Sequence, residues 1–285
     1  MFLMSHDKIL TFFAHFIEKE LGIIYAEHNY FQLKNRLEEI AKLKGIETIE
    51  RLYEEAQKGI QGAFKQLLLD IATNNETSFF RDPKVFKAIE ALILAEYQKK
   101  SPFGARLNIW SAAASTGQES VSTAILIKEF ASKMGVNINF GITATDISER
   151  VLTRARKGSY SQLEVQRGLP APLLIKYFKK DENDTWQVVP EIKNCIQFRT
   201  QNLKESLSFP EPFDLILCRN VLIYQNVEGK KEILNRITKT LAPGAFLIMG
   251  SGESLLGLSN DYESVSSEGA VIYRKKMPSL DKKAA

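Results

Sequence analysis

The residues best suited to chemistry lie where apolar runs give way to small or acidic side chains. Residues 106–110 form a short, mostly apolar run, and Ser-Ala-Ala-Ala-Ser-Thr-Gly follows at 111–117. Small side chains between a strand and a helix let the backbone turn tightly and approach a ligand closely. A tight turn needs small residues in any case, so this loop alone does not establish a binding site.

Asp146 follows the next apolar run, 140–145. An acid at the end of a second parallel strand can accept hydrogen bonds from both ribose hydroxyls of a bound nucleoside. The same aspartate could instead cap a helix that begins at Ser148, since aspartate is a preferred N-cap residue. The two roles are compatible.

The loop lacks both glycine-rich phosphate patterns, GxGxxG and GxxxxGK[ST]. Those patterns surround phosphate oxygens with backbone amides. We therefore expect a ligand that carries a nucleoside without a phosphate, and S-adenosyl-L-methionine fits that description. Glu119 is the acid best placed to hold the ligand's positively charged amino group. It could also be only a first-turn acid that favours the helix macrodipole.

Two further segments add to this pattern. Asn-Asn-Glu-Thr-Ser-Phe-Phe-Arg-Asp-Pro occupies 74–83, and Cys-Arg-Asn-Val-Leu-Ile-Tyr occupies 218–224. With Trp-Ser-Ala-Ala-Ala-Ser-Thr-Gly at 110–117, they closely resemble the signatures of the CheR chemotaxis receptor methyltransferases. The motifs stand in the family's order, and the likeness covers nearly the whole chain. It implies that S-adenosyl-L-methionine is the cofactor, that S-adenosyl-L-homocysteine is the product, and that receptor glutamates become methyl esters.

The resemblance also implies a role for each matching residue. Arg81 would lie near the methionine end of the cofactor and Tyr224 would point toward the reacting methyl group, so these two are the expected catalytic residues. Glu119 would bind the amino group and Asp146 the ribose, while 202–203 would contact adenine. The expected cofactor-binding set is Asn75, Thr77, Arg81, Glu119, Asp146, Asn202, Leu203, Arg219 and Asn220.

Some of these roles have alternatives. The family usually has Gly-Glu-Glu-Pro where this chain has Gly-Gln-Glu-Ser at 117–120. The second acid of that motif is retained, so we still expect the cofactor to bind. Arg219 could instead only form an ion pair with Asp214 or Glu253. Tyr224 could be an aromatic side chain packed at the end of a strand.

A carboxylate acceptor removes the need for a general base, since glutamate has a reference pKa near ~4.3 and is ionised at neutral pH. The three histidines, His6, His15 and His28, all lie in the N-terminal helical segment, away from the expected pocket. Catalysis would come from placing the carboxylate in line with the methyl group and removing its water, with Arg81 and Tyr224 orienting it.

Two other functions compete with this one. The first is a methyltransferase of the same fold that acts on RNA or a small molecule. An amide or exocyclic-amine target favours Asn/Asp-Pro-Pro-Tyr at the strand end, where this chain has Cys-Arg-Asn at 218–220. The second is a cofactor-binding regulatory module without turnover, which the presence of the expected catalytic residues disfavours.

The N-terminal segment is expected to be helical. Ile9, Phe13 and Ile17 recur on one face of a helix, and Leu33 and Leu37 repeat the pattern on a second helix. Two more helices are expected at 48–58 and 62–72. We predict a small helical domain over 1–72.

From residue 102 short strands alternate with helices, which indicates an α/β fold with a doubly wound sheet. The resemblance implies the mostly parallel, seven-stranded methyltransferase sheet, in a catalytic domain over 73–276. Strands near 186–189 and 195–198 suggest an inserted antiparallel β-subdomain at about 160–198, and 277–285 is expected to be a flexible tail. The main strands are predicted at 106–110, 140–145, 213–218, 245–249 and, antiparallel at or near the sheet's end, 270–274.

Composition sets limits on location and partners. The chain is 44% hydrophobic and 25% charged, and its apolar stretch at 9–17 is far shorter than the ~20 residues of a membrane span. Two cysteines without metal-ligand spacing favour a reducing, cytoplasmic setting and no bound metal. We expect no secretion signal, no membrane insertion and a monomer.

A net charge of +4 is too small to indicate nucleic acid. The expected partner is the cytoplasmic helical region of chemotaxis receptors. The basic stretch 150–180 could meet an acidic receptor or simply be solvated. In the family that the chain resembles, tethering of the β-subdomain to a receptor tail varies between members. The turn at 181–185 contains no glycine here, which favours the kind that does not tether.

Overall fold

The computed structural model describes residues 6–100 and 105–278, and the described part of the chain begins with a bundle of four helices. The fully buried side chains of Ile9, Phe13 and Leu37 lie in its core. Thr48 caps the third helix by accepting a hydrogen bond from the Arg51 amide. The four helices match the predicted ones and are α1 (His6–Leu21), α2 (Tyr30–Leu43), α3 (Ile49–Gln57) and α4 (Gly62–Ala72).

Strands and helices then alternate, as the sequence predicts. The strands are β1 (Leu107–Ala112), β2 (Phe140–Asp146), β3 (Ser159–Tyr160), β4 (Phe178–Lys180), β5 (Trp186–Val188), β6 (Ile196–Thr200), β7 (Phe213–Cys218), β8 (Leu241–Met249), β9 (Tyr262–Ser267) and β10 (Ala270–Lys275). The helices are α5 (Pro83–Ala88), which continues through a π-helical turn at Ile89–Leu94 into α6 (Ala95–Lys100), then α7 (Gln118–Met134), α8 (Glu149–Lys157), α9 (Gln162–Gln166), α10 (Ala171–Tyr177), α11 (Pro190–Lys193) and α12 (Val227–Thr240).

The larger sheet has the strand order β6-β2-β1-β7-β8-β10-β9. Its first five strands pair in parallel, whereas β10 is antiparallel to both β8 and β9. The order reverses on either side of β1, so the crossovers cover both faces and the carboxyl ends of β1, β2 and β7 meet at one edge. This confirms the predicted doubly wound, mostly parallel seven-stranded sheet.

Burial on both faces explains why the central strands read as almost continuous apolar runs. Ile109 on β1 faces one hydrophobic cluster and Trp110, the next residue, faces the other. Trp110 is fully buried, and its indole Nε1 donates a hydrogen bond to Thr145 Oγ1 over 2.9 Å. The large indole therefore fills the core without leaving a buried donor unpaired.

A small antiparallel sheet with the order β3-β5-β4 lies in the insertion, as predicted. Placing the strand predicted at 195–198 in this sheet was wrong. That strand is β6, which pairs in parallel with β2 and forms one edge of the larger sheet, with Ile142 opposite Ile196. An edge strand is only half buried, so its side-chain pattern does not show which sheet it joins.

The strand predicted at 270–274 is β10, which is antiparallel and lies next to the edge of the sheet, as expected. The edge itself is β9, which the sequence did not reveal. Its sequence, Tyr-Glu-Ser-Val-Ser-Ser, is mostly polar and half of its residues are exposed, so it has no apolar run to mark it as a strand.

Of the tail predicted at 277–285, residues 279–285 lie outside the described part of the chain. Across residues 6–100 and 105–278, no helix combines the length and the apolar character that crossing a bilayer requires.

Candidate active site

A cavity opens where the carboxyl ends of β1, β2 and β7 face the helical bundle. It encloses about 1040 Å³, counting the part that is open to solvent. The structure brings together every residue that the motifs single out. Those lining the cavity are Asn75, Thr77, Arg81, Glu119, Asp146, Asn202, Leu203, Arg219, Asn220 and Tyr224.

The loop after β1 turns back on itself through left-handed backbone conformations. Ala113 and Ser115 have φ values of 57° and 52°, and Gly117 has a φ of 92°. A Cβ on Gly117 would lie 3.1 Å from the Ala155 Cβ and 3.2 Å from the Tyr160 hydroxyl oxygen. Only glycine fits there, so the small residues of the motif serve both the turn and the close packing behind it.

Asp146 is 5% exposed, and each of its carboxylate oxygens accepts one backbone amide. Oδ2 accepts from the Ser115 amide and Oδ1 from the Ser148 amide, both over 2.9 Å. Burial raises the pKa of the Asp146 carboxyl, and these amides partly offset the rise. Each oxygen keeps a lone pair with which to accept from a ligand hydroxyl.

The alternative N-cap role of Asp146 was wrong in its detail. The helix begins at Glu149, and its N-cap is Ser148, whose hydroxyl accepts a hydrogen bond from the Val151 amide. Asp146 instead holds the amide of that capping residue. The carboxylate therefore fixes the loop after β1 and the start of α8 in one arrangement.

Arg219 connects three parts of the site. Its Nη1 contacts Glu119 Oε2 over 3.0 Å, and its Nη2 contacts Asp82 Oδ2 over 2.6 Å. Nη2 also donates to the Arg81 carbonyl oxygen over 2.7 Å. The Arg219 side chain is only 2% exposed, so these contacts lie in an environment of low dielectric. Arg219 thus ties the segment at 75–83 to the helix that follows the β1 loop.

The alternative ion pairs proposed for Arg219 were wrong. Asp214 accepts a hydrogen bond from the Asn108 amide at the opposite end of β7. Glu253 accepts backbone amides in the loop after β7. Glu119 also accepts a hydrogen bond from the Ser111 hydroxyl over 2.9 Å, so both of its oxygens are already held in place.

The segment 75–83 contacts the loop that follows β1. The Ser115 hydroxyl donates to the Asn75 carbonyl oxygen over 2.8 Å, and Arg81 Nη1 donates to the Glu76 carbonyl oxygen over 3.2 Å. Phe79 is fully buried and packs edge-on against Tyr160, with ring centroids 4.9 Å apart. Phe79 therefore anchors the segment, which leaves Arg81 at the cavity.

Tyr224 lies on a short 3-10 turn, Leu222–Tyr224, on the other side of the opening. Its hydroxyl accepts a hydrogen bond from the Asn74 side-chain amide over 2.8 Å, and its carbonyl oxygen accepts from the Ile24 amide. Tyr224 is only partly buried and is among the residues that line the cavity, which is compatible with the expected catalytic role.

Asn220 is held in a left-handed conformation, with φ of 59°. Its Oδ1 is buried and has no hydrogen-bond partner among the described residues. A buried acceptor without a partner is costly. Asn220 is also among the residues that line the cavity, so its Oδ1 is an acceptor next to the cavity that no described residue uses.

The sequence did not identify the contribution of the helical bundle to the cavity. Leu21 and Ile23, at the end of α1, line it beside Ile147 and Leu203. These four apolar side chains provide a surface suited to an aromatic base. No local signal in the sequence predicted this, because it depends on how the bundle docks against the sheet.

Residues 75–271 match the protein family described as CheR methyltransferase, SAM binding domain. Chemotaxis protein methyltransferase Cher2 of Pseudomonas putida is 36% identical over 266 residues, which cover 93% of this chain and 96% of that protein. Chemotaxis protein methyltransferase 1 of Pseudomonas aeruginosa is 37% identical over the same length, with the same two coverages.

Among solved structures, the N-methyltransferase NodS from Bradyrhizobium japonicum WM9 is 16% identical, with a TM-score of 0.37, and the match covers 70% of this chain and 99% of NodS. That likeness is too slight to support an inference about function. The family match and the two relatives suffice, and they show that this chain belongs to the CheR methyltransferases, enzymes that use S-adenosyl-L-methionine.

Proposed function

We propose that this enzyme transfers the methyl group of S-adenosyl-L-methionine to glutamate side chains on the cytoplasmic helical region of chemotaxis receptors. The observation that carries the proposal is a cavity that has groups to orient an anion and no histidine to serve as a general base. Arg81 and Tyr224 both line it, and none of the chain's three histidines is among the lining residues. The relatives named chemotaxis protein methyltransferase support an acceptor in the chemotaxis system.

The residues present fit S-adenosyl-L-methionine. The unpartnered Asn220 Oδ1 and the carboxylate of Glu119 are suited to an ammonium group. Asp146 retains acceptor capacity for the ribose hydroxyls, and Leu203 faces the cavity beside Asn202 for the adenine. When bound, the cofactor supplies an electrophilic methyl group on a positively charged sulfur. Asn75, Thr77 and Arg219 complete the wall around it.

Methyl transfer to an ionised carboxylate requires little of the protein beyond placing the carboxylate in line with the methyl group. A carboxylate oxygen of the acceptor glutamate forms a bond to the methyl carbon while the carbon–sulfur bond breaks, and the bonding pair stays on sulfur. The products are a glutamyl methyl ester and S-adenosyl-L-homocysteine, and no proton is transferred. Arg81 and Tyr224 orient the carboxylate and replace part of its hydration shell, which raises the fraction of bound encounters that can react.

The proposal is tested by the chemistry of the labelled product. The enzyme is incubated with methyl-labelled S-adenosyl-L-methionine and, separately, with a purified receptor cytoplasmic fragment or total RNA. We expect label on the receptor that mild base releases as methanol, since esters hydrolyse and N-methyl groups do not. A receptor fragment with its acceptor glutamates changed to alanine is the control. Base-stable label, or label on RNA alone, would overturn the proposal.

The expected catalytic residues are tested in the same assay. For Arg81→Ala and Tyr224→Phe we expect turnover to fall by about 10- to 100-fold, the range that correctly placed orienting groups contribute. Binding of S-adenosyl-L-homocysteine should change less, because the main role expected of both residues is to orient the acceptor, even though Arg81 also belongs to the expected cofactor-binding set. Full turnover in both variants would remove them from the catalytic set.

A further inference from the structure

The loop after β7 carries three residues of the site within six positions: Arg219, Asn220 and Tyr224. Its backbone is not regular, because Asn220 is left-handed and only a three-residue 3-10 turn follows. Such a loop leaves several amides without helix or sheet partners. What those amides bind decides how firmly the loop is held.

Four amides converge on the carboxylate of Glu253. Its Oε2 accepts from the Asn220 amide over 2.7 Å and from the Gly250 amide over 2.8 Å. Its Oε1 accepts from the Val221 amide over 3.0 Å and from the Ile223 amide over 3.1 Å. Both oxygens are thus saturated by backbone donors, three of which belong to the loop that bears the site residues.

The backbone at Gly250, just after β8, also packs closely against Asn220. A Cβ on Gly250 would lie 2.7 Å from Asn220 Nδ2 and 2.8 Å from the Asn220 backbone nitrogen. The end of β8 therefore packs directly against Asn220, while Glu253 holds the loop from the same side. The side chain of Glu253 is not among the residues that line the cavity.

We propose that Glu253 is a positioning residue that presets the loop from Asn220 to Tyr224, so that Asn220 meets the cofactor and Tyr224 meets the acceptor. For Tyr224, this rests on the proposed function above. A carboxylate is required because it is acceptor-only and offers enough lone pairs for four amides. Glutamine would present its side-chain NH2 group, a donor, to some of those amides and leave them unpaired.

The first test is the affinity for S-adenosyl-L-homocysteine, measured by calorimetry, of Glu253→Gln. We expect Kd to rise about tenfold or more, as for the loss of one hydrogen bond to a charged group. Hydrogen exchange of a peptide covering 219–225 should accelerate at the same time. Glu263→Gln, at an exposed glutamate on β9, is the matched control and should bind like the wild type.

Glu253→Asp keeps the charge but shortens the reach, so its affinity should lie between those of the wild type and Glu253→Gln. If Glu253→Gln does not fold, the aspartate variant decides by the same readouts. Wild-type affinity together with wild-type exchange at 219–225, in whichever variant folds, would overturn the proposal. The affinity and hydrogen-exchange measurements need no acceptor, so they test Glu253 even if no receptor is methylated.

The second test distinguishes positioning from general stability. If Glu253 acts through Tyr224, then Tyr224→Phe should reduce turnover less in the Glu253→Gln background than in the wild type. If Tyr224→Phe reduces turnover by the same factor in the wild type and in Glu253→Gln, Glu253 does not act through Tyr224. If Tyr224→Phe alone does not change turnover, the proposed role of Tyr224 is wrong. The affinity for S-adenosyl-L-homocysteine then still tests whether Glu253 positions Asn220.

Discussion

At the scale of single residues, two carboxylates of the site are held in place because each of their oxygens accepts a hydrogen bond from the protein. Asp146 accepts two backbone amides, and Glu119 accepts the Ser111 hydroxyl and the Arg219 guanidinium. Sequence motifs identified both acids but not their partners, because those donors come from other segments of the chain. Prearranged carboxylates lose little freedom when a ligand binds.

The first prediction concerns the protonation of Asp146. Burial, reinforced by the nearby charge of Asp70, raises the pKa of the Asp146 carboxyl above its ordinary value. Only the ionised form accepts hydrogen bonds at both oxygens, so affinity for S-adenosyl-L-homocysteine should fall as the pH drops below this raised pKa. Calorimetry across the acid range measures the effect.

Two variants check the assignment. Asp146→Asn should bind weakly, with little pH dependence below neutrality. Asp70→Asn removes the neighbouring charge, so its loss of affinity should occur at lower pH than in the wild type. A pH dependence that is unchanged in Asp146→Asn would assign the titration to another group.

The second prediction concerns the ion pair between Arg219 and Glu119. Replacing Arg219 with methionine leaves Glu119, 14% exposed, without its cationic partner. We expect a loss of about 3–5 kcal/mol in the free energy of unfolding, the range for breaking a buried pair from one side. Chemical denaturation measures this.

The double variant Arg219→Met, Glu119→Gln provides the comparison. It removes both charges together, so it should be more stable than Arg219→Met alone. If the two substitutions were simply additive, the pair would contribute no coupling, and the low-dielectric account of this contact would be wrong.

At the scale of elements, the carboxyl end of α1 is attached to the sheet by side chains. Lys204 Nζ donates to the Glu18 and Lys19 carbonyl oxygens over 3.1 and 2.7 Å. Asn202 Nδ2 donates to the Glu20 carbonyl oxygen over 3.1 Å, and Gln225 Nε2 to that of Leu21 over 2.9 Å. The Glu18 carbonyl oxygen also accepts from the Gly22 amide, but the last carbonyls of the helix otherwise depend on side chains of the loops that line the cavity.

The third prediction tests this attachment. Lys204→Met should lower the free energy of unfolding by about 1–3 kcal/mol, as for a hydrogen-bonded charge at a helix carboxyl end. Its affinity for S-adenosyl-L-homocysteine should also fall, because 202–204 line the cavity. Lys239→Met, at an exposed lysine in the last turn of α12, is the control and should change the affinity little. Equal effects of the two variants would contradict the role given to Lys204.

The elements themselves were largely predictable, whereas some of their positions were not. Helical spacing such as that of Ile9, Phe13 and Ile17 located α1, and apolar runs located β1, β2, β7 and β8. The strand β9 was missed because its residues are mostly polar and only one of them is buried, and β6 was put in the wrong sheet because strand pairing is non-local. All ten expected site residues reach the cavity, but the contributions of Leu21 and Lys204 to it were not foreseen. Glu253 was considered only as a partner of Arg219, and its contacts with the loop after β7 were also missed, because such contacts depend on tertiary packing.

At the scale of the whole molecule, the basic stretch at 150–180 is largely neutralised by ion pairs within the chain. Arg150 contacts Glu39, Arg154 contacts Glu164 and Arg156 contacts Glu149. Further along, Arg167 pairs with Glu76, Lys176 with Glu129 and Lys180 with Asp184. These contacts favour the simpler of the two interpretations, a solvated face, over a basic surface reserved for an acidic partner.

The last prediction concerns how ligand binding spreads through the molecule. The cavity is walled by both the sheet and the bundle, since Leu21 and Ile23 line it together with Asp146 and Asn202. S-adenosyl-L-homocysteine should therefore slow hydrogen exchange at two separated segments, the end of α1 and the stretch 73–81, and not only at the strand ends.

Any ligand that binds the native state slows exchange that occurs through global unfolding, so protection beyond that level must be shown. Comparing these segments with α3, which contributes no residue to the cavity, provides the internal reference. Extra protection at 73–81 without any at the end of α1 would mean that the cofactor is held by the sheet and the segment after α4, and that α1 is attached to the site without taking part in it.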